Sequence, residues 1–190
     1  DFRVERIAAT YGWLPALMSG MGVKRLGFEG HDLTVTTHAT LAKVIEDSNG
    51  SGGHELVAVD GVVEKLRAFK DPEEMSLLTR AVEIADQALD RVAPTITVGV
   101  REKDVAWELE KSMREAGAEA ISFDIIVGAG PNGALPHHRA GETVIGDGEP
   151  VVIDMGATYD GYCSDLTRTI FIREPDDEFR KVYDTVLRAQ

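Results

Sequence analysis

Two stretches rich in β-forming residues flank the dipeptide Asp160-Gly161, and this arrangement constrains the fold more than any other feature of the sequence. The first stretch covers residues 150–159 and the second covers residues 162–172. An Asp-Gly dipeptide between two such stretches is typical of a β-hairpin with a two-residue type I′ turn. With Asp160 and Gly161 as the turn residues, Tyr159 lies opposite Tyr162, and this pair sets the register of both strands. The sequence therefore predicts an antiparallel hairpin.

This register places two acidic residues on one face of the hairpin. Asp154 lies opposite Thr167, and Asp165 lies opposite Gly156. Because side chains alternate between the two faces of a strand, the two acids share a face as diagonal neighbours. Diagonal neighbours lie about 7–8 Å apart, which is too far for direct contact but suitable for two carboxylates bridged by cations.

Two negative charges close together on a half-buried face repel each other, and this repulsion must be relieved. The residues alone leave several ways of relieving it open. One carboxyl group could be protonated, Arg168 could neutralise the pair, or the face could be open to solvent. Divalent metal ions are the further alternative, because carboxylates suit such cations and two-metal sites hold their ions about 3.5–4 Å apart. Thr167 could donate a hydrogen bond to Asp154, or it could be present for its β propensity alone.

Charge and composition exclude several classes of protein. The 190 residues include 33 acidic and 20 basic ones, and the formal net charge of −13 argues against a nucleic-acid partner, since phosphate binding needs clustered Lys and Arg. No run of about 18 apolar residues is present, so no membrane span is predicted. The single cysteine, Cys163, cannot form an internal disulfide, which fits a reducing compartment and predicts a cytoplasmic location.

The remaining sequence predicts two domains that meet near residue 69. The predicted elements are strands at 24–29 and 55–59 around a helix at 34–47, a flexible glycine-rich loop at 48–53, a short helix at 62–69, helices at 71–92, 102–116 and 177–189, and a buried strand at 121–127 followed by a loop at 128–133. The segment Asp71-Pro72-Glu73-Glu74 is typical of a helix N-terminus. The predicted domains are residues 1–69 and 70–190.

Other histidines and aromatic residues receive simple interpretations. Surface positions are predicted for His31, His38 and His54, packed positions for Trp13, Trp107 and Cys163, and no particular role for His138.

Three elements of the sequence resemble one known family in matching register. The segments VVIDMGA (151–157) and YDGYCSDLTRT (159–169) resemble the first metal-ligand motif of the Xaa-Pro aminopeptidase and prolidase branch of the M24 metallopeptidases. The segment ALPHH (134–138) resembles the place where that family has a substrate-side histidine, 17 residues before the first aspartate, and His137 precedes Asp154 by that number. Asp165 follows Asp154 by 11 residues, which also fits the family.

The resemblance implies a fold class and a domain assignment. The α/β (α+β) pita-bread fold of the family is expected, with only its first half in residues 70–190. Residues 1–69 are similar to part of a creatinase-type N-terminal α/β domain.

The resemblance also implies an activity. The reaction would be hydrolysis of the bond between an N-terminal residue and proline, by a hydroxide that two divalent metal ions (Mn, Co or Zn) activate, in an enzyme of aminopeptidase P or prolidase type. Asp154 would bind one ion, Asp165 would bridge two, His137 would face the substrate and Thr167 would support a ligand. The expected partners are a proline-containing peptide and, in the full-length protein, a second copy of the chain.

The family's remaining ligands, a histidine and two glutamates, are expected beyond Gln190, so the chain is interpreted as a fragment that is inactive alone. A metal-free, creatinase-like hydrolase is an alternative, although the presence of both Asp154 and Asp165 argues against it. A non-catalytic pita-bread relative that binds peptides or proteins is the other alternative.

Overall fold

The computed structural model describes residue 4, residues 6–48 and residues 53–190 of the chain. These residues form two compact units, Asp1–Phe69 and Lys70–Gln190. In the described residues, no helix is both long enough and apolar enough to cross a lipid bilayer.

The first unit contains the predicted βαβ arrangement. Its elements are α1 (Leu14–Gly20), β1 (Arg25–Glu29), α2 (Val35–Ser48), β2 (Glu55–Val59) and α3 (Val62–Arg67). Strands β1 and β2 pair in parallel, as a helical crossover between them requires. Leu14, Met18 and Ile45 form the buried core of this unit. Residues 49–52 of the predicted glycine-rich loop lie outside the described part of the chain.

The predicted surface position of His54 is wrong. The residue is only 8% exposed, and its Nε2 atom lies 2.9 Å from the Ser19 hydroxyl. The sequence gives no sign of this contact because the two residues are far apart in the chain.

The second unit begins with the helix that its N-terminal motif predicts. Helix α4 covers Pro72–Val92, and the Asp71 carboxylate accepts hydrogen bonds from the backbone N–H groups of Glu73 and Glu74. The Glu74 carboxylate in turn accepts from the backbone N–H of Asp71, which completes a capping box. Helices α5 (Glu102–Glu115) and α6 (Asp177–Ala189) also lie where they are predicted.

Two three-stranded antiparallel sheets carry the rest of this unit. Their strands are β3 (Ala120–Ile121), β4 (Ile126–Ala129), β5 (Pro150–Met155), β6 (Ala157–Tyr159), β7 (Tyr162–Cys163) and β8 (Leu166–Phe171), arranged in the orders β3-β6-β7 and β4-β5-β8. The predicted hairpin register is confirmed, because Tyr159 pairs with Tyr162 and Asp154 pairs with Thr167. The predicted single strand at 121–127 is wrong, since β3 and β4 are separate strands that join different sheets.

The hairpin passes from one sheet to the other at Gly156, between β5 and β6. A Cβ atom at this position would lie 2.0 Å from the backbone oxygen of Ser164, so only glycine fits. The buried Ser164 hydroxyl donates to the backbone oxygen of Ala81 and accepts from the backbone N–H of Ala157, each at 3.0 Å. Ser122 donates from its hydroxyl to the Ser164 oxygen at 2.9 Å. These contacts fix the bend next to both acidic residues.

The core of the second unit lies between its helices and one face of the sheets. Along β5, Val151, Ile153 and Met155 are fully buried against helix residues such as Ile84 and Leu109. The alternation of side chains therefore directs Asp154 to the opposite face, away from the core.

Candidate active site

A cavity of about 440 Å³ contains three of the four residues that the sequence singles out. Asp154, Asp165 and His137 all line it. Its other lining residues are Phe123, Asp124, Ile126, Pro136, His138 and Arg139. The structure thus brings the two acids of the hairpin together with the histidine of the preceding loop.

Asp154 is half-buried in the middle of strand β5, and its neighbour across the hairpin holds it in position. The Thr167 hydroxyl donates a hydrogen bond to Asp154 Oδ1 at 2.7 Å. This length is ordinary for a hydroxyl that donates to a carboxyl oxygen. The bond orients the Asp154 carboxyl group, and the residue lines the cavity.

Asp165 is exposed and follows the buried Ser164 directly, between strands β7 and β8. The hydrogen bonds of Ser164 to three other segments fix the backbone at this point. The position of Asp165 therefore depends on the bend at Gly156, whereas the position of Asp154 depends on the regular pairing of β5 with β8.

Within the described residues, neither Asp154 nor Asp165 forms an ion pair with a Lys or Arg side chain. The Arg168 side chain is exposed and donates to the backbone oxygen of Thr167 at 2.8 Å, so it does not neutralise the pair. The cavity lining contains three carboxylates and a single guanidinium, that of Arg139. Its charge therefore favours the approach of cations.

The donor set fits hard or borderline divalent cations, because carboxylate oxygens are the ligands that such cations prefer. No cluster of three or more His, Cys, Asp and Glu side chains in the described part of the chain could hold a metal ion. Asp154 and Asp165 offer two carboxylates, which is fewer than the three or more protein ligands of an ordinary catalytic metal site.

His137 is exposed at the turn that follows a short 3-10 helix, Gly130–Ala134. The turn is closed by a hydrogen bond from the backbone N–H of His138 to the backbone oxygen of Leu135, at 3.1 Å. The His137 imidazole lines the cavity from this turn, while both acids reach it from the hairpin.

Sequence reasoning missed Glu102, a fully buried carboxylate at the start of α5. It accepts four hydrogen bonds, from Ala129 N, Asn132 Nδ2, His138 Nε2 and Gly141 N. Burial raises the pKa of the Glu102 carboxyl group, but the hydrogen bonds from Asn132, Ala129, His138 and Gly141 outweigh it, and the pKa lies below its usual value. An acidic residue in the first turn of a helix is ordinarily solvent-exposed, so no local signal identifies this one.

Two predicted packing positions are wrong. Trp107 is 60% exposed and lines a neighbouring cavity of about 330 Å³. Cys163 is also exposed, and its Sγ atom lies 3.5 Å from the Thr158 hydroxyl.

Comparison with known proteins gives concordant matches. Residues 76–190 match the sequence pattern of metallopeptidase family M24. Peptidase YqhT of Bacillus subtilis is 42% identical over 173 residues, which cover 91% of this chain and 47% of the relative. The Xaa-Pro dipeptidase of Pyrococcus furiosus is 39% identical over 165 residues, which cover 87% of this chain and 45% of the relative.

Solved structures agree with these matches. An Xaa-Pro dipeptidase from Bacillus anthracis superposes with a TM-score of 0.90 at 39% identity, covering 98% of this chain and 50% of that one. An X-Pro aminopeptidase from Thermotoga maritima MSB8 superposes with a TM-score of 0.86 at 33% identity, covering 100% of this chain and 51% of that one. The chain spans about half the length of the curated relatives it matches.

Proposed function

This chain belongs to metallopeptidase family M24, and we propose that it is part of an enzyme that hydrolyses the bond between an N-terminal residue and proline. The predicted family membership and the predicted α/β pita-bread fold are both confirmed, over about half the length of the matched prolidase and aminopeptidase structures.

The main support for this proposal is that Asp154, Asp165 and His137 line the same cavity. Two carboxylates without a Lys or Arg partner in the described part of the chain, placed on one wall of a cavity, are suited to binding divalent cations. An imidazole on the same cavity supplies a hydrogen-bond donor or acceptor for a peptide bound there.

We assign the metal-ligand role to Asp154 and Asp165, with two divalent cations such as Mn, Co or Zn as the proposed occupants. Divalent cations bound there would lower the pKa of water and polarise the scissile carbonyl group. Thr167 holds the Asp154 carboxylate in one orientation through its 2.7 Å hydrogen bond, so that this ligand needs little reorganisation on binding.

His137 is proposed to hydrogen-bond the substrate, and the apolar side chains of the cavity are proposed to contact its proline. Phe123, Ile126 and Pro136 line the same cavity as His137. They offer an apolar wall of the kind that a pyrrolidine ring can pack against. A peptide held there would place its backbone next to the two carboxylates.

The two carboxylates do not complete a metal site, and we propose that a histidine and two glutamates complete it from the part of the relatives' length that this chain does not span. Residues 1–190 alone are accordingly expected to lack activity. A homodimeric assembly and a cytoplasmic location stay predictions.

The full-length protein tests the proposal with matched variants in the same cavity. Asp154→Asn should lower the rate of Mn-dependent hydrolysis of Ala-Pro and Ala-Pro-Ala by at least about 100-fold. Loss of a group that only supports a metal ligand already lowers metal affinity or activity by about 10- to 100-fold, and loss of a ligand itself should have a larger effect. Asp124→Asn is the control, since Asp124 lines the same cavity without an assigned ligand role. The ratio of the two substrates distinguishes a dipeptidase from an aminopeptidase.

Full activity in Asp154→Asn would refute the ligand assignment. A wild-type protein that binds these peptides without cleaving them would instead support the peptide-binding alternative. Calorimetric titration with Mn gives a second reading, in which Asp154→Asn should weaken binding and Asp124→Asn should not.

A further inference from the structure

We infer that Glu102 is a positioning residue of this site, which acts through His138 to hold the loop that carries His137 against the cavity. The inference rests on the proposed function insofar as it concerns catalysis. The contacts of Glu102 themselves do not depend on that function.

Glu102 joins three segments of the chain around one buried charge. Its Oε1 atom accepts from Ala129 N at 2.9 Å and from Asn132 Nδ2 at 2.8 Å. Its Oε2 atom accepts from His138 Nε2 at 2.8 Å and from Gly141 N at 3.3 Å. The end of β4, the 3-10 helix and the segment after His137 are therefore tied to the start of α5.

The geometry requires a carboxylate at this position. Each oxygen of Glu102 faces two donors, and an ionised carboxylate offers only acceptors. The amide of a glutamine would turn its NH₂ group toward one of these donor pairs, whichever way it is oriented. Glutamine has the same shape as glutamate, but its NH₂ group would face two buried N–H donors, which would then lack an acceptor.

The contact with His138 links this cluster to the cavity. The His138 side chain is only 13% exposed, and the residue lines the cavity beside His137 and Asp154. Because Glu102 Oε2 accepts from its Nε2, the neutral His138 ring carries its proton on Nε2 and keeps Nδ1 as an acceptor. The ring is thereby held in one tautomer and one orientation.

The position of His137 follows from two anchors on either side of it. The backbone hydrogen bond from His138 to Leu135 closes the turn, and the contacts of His138 and Gly141 with Glu102 hold the segment that follows. If Glu102 only stabilised the fold, the loss of these contacts would affect activity independently of His137. A positioning role predicts that the two effects are coupled.

A double-mutant cycle in the full-length protein tests this coupling, with the kcat for Ala-Pro hydrolysis as the readout. His138→Ala should lower kcat by about 10- to 100-fold, and His138→Gln should restore most of it because its amide nitrogen keeps a donor near the position of Nε2. In a His137→Ala background, His138→Ala should change kcat by no more than about twofold. Fully additive effects, or a failure of His138→Gln to restore activity, would overturn the inference.

A measurement that needs no activity separates this inference from the proposed function. In the wild-type protein with ¹⁵N-labelled histidine, the His138 ring should show the Nε2–H tautomer, and Glu102→Ala, which removes the acceptor, should remove the preference for that state. Hydrogen exchange should accelerate at both the Ala129 and Gly141 amides in Glu102→Ala, and at one of the two in Glu102→Gln, whose NH₂ group faces only one donor pair. The Ser122 amide, which donates to the Gly156 oxygen, should keep its rate.

The outcomes are distinguishable. An Nδ1–H tautomer of His138 in a wild-type protein that cleaves Ala-Pro would refute the positioning role and leave the proposed function intact. An Nε2–H tautomer in a wild-type protein that cleaves no Xaa-Pro peptide would refute the proposed function. The contact between Glu102 and His138 would then be supported, but its positioning role in catalysis would be refuted together with the function.

Discussion

The substitution Gly156→Ala tests how tightly the bend between the two sheets is built. The new Cβ atom would lie 2.0 Å from the Ser164 oxygen and 2.9 Å from the Ser122 hydroxyl oxygen. To reach a separation of 3.0 Å, below which real Cβ atoms essentially never lie, the two backbones must move apart by about 1 Å (3.0 − 2.0). Such a shift breaks the short hydrogen bonds across the bend, among them Ser122 Oγ to Ser164 O and Ala157 N to Ser164 Oγ.

Three contributions determine how much Gly156→Ala changes the free energy of unfolding. Overpacking of this kind costs about 1–3 kcal/mol, and two lost hydrogen bonds cost about 0.5–1.5 kcal/mol each. In the opposite direction, replacing Gly by Ala lowers the conformational entropy of the unfolded chain and so stabilises the protein by about 0.4–1 kcal/mol. We expect Gly156→Ala to lower the free energy of unfolding by about 3 kcal/mol, and to weaken metal binding because the bend adjoins Asp165.

Urea unfolding followed by circular dichroism measures the stability change, with Gly141→Ala as the control. A Cβ atom at Gly141 would have only the Arg139 oxygen nearby, at 3.8 Å, which is an ordinary contact. Gly141→Ala also keeps the backbone N–H that donates to Glu102, so its stability should stay within about 0.5 kcal/mol of wild type. Equal stability of the two variants would show that the bend tolerates a side chain and that the reasoning is wrong.

Three further predictions concern single contacts of the second unit. Thr167→Val removes the donor to Asp154 and should weaken Mn binding by about 10- to 100-fold in calorimetric titration, whereas Thr167→Ser should retain it. Asp71→Ala removes the helix cap and should lower the free energy of unfolding by about 1 kcal/mol, as seen by urea unfolding; no change would contradict the capping role. Because folding lowers the pKa of Glu102, its stabilisation is present above the unfolded-state value near 4.5 and is lost as the pH falls through the folded-state value. Urea midpoints measured from pH 6 to pH 3 should therefore fall less steeply with acid in Glu102→Gln than in the wild-type protein.

The hairpin is predictable because its determinants are local. The two-residue turn at Asp160-Gly161 fixes the register, and the register alone places Asp154 opposite Thr167. The start of α4 is predictable for the same reason, since Asp71 and Glu74 satisfy each other within one helical turn.

The rest of the site depends on contacts between distant parts of the chain. The four donors to Glu102 lie 27, 30, 36 and 39 residues away, so nothing near it in the sequence indicates that it is buried. The division of the predicted strand at 121–127 has a similar cause. Ser122 bonds to Ser164 and Gly156 across the bend, and this tertiary contact directs β3 and β4 into different sheets.

Local and distant determinants therefore position different parts of the candidate site. The hairpin register sets the face on which Asp154 lies, and a slip of one residue would turn its side chain from the cavity toward the core occupied by Ile153 and Met155. The loop with His137 has no such internal register and relies on a buried carboxylate from another helix. Damage to the hairpin should accordingly remove metal affinity together with stability, whereas damage to the Glu102 cluster should leave both acids in place and displace the histidines.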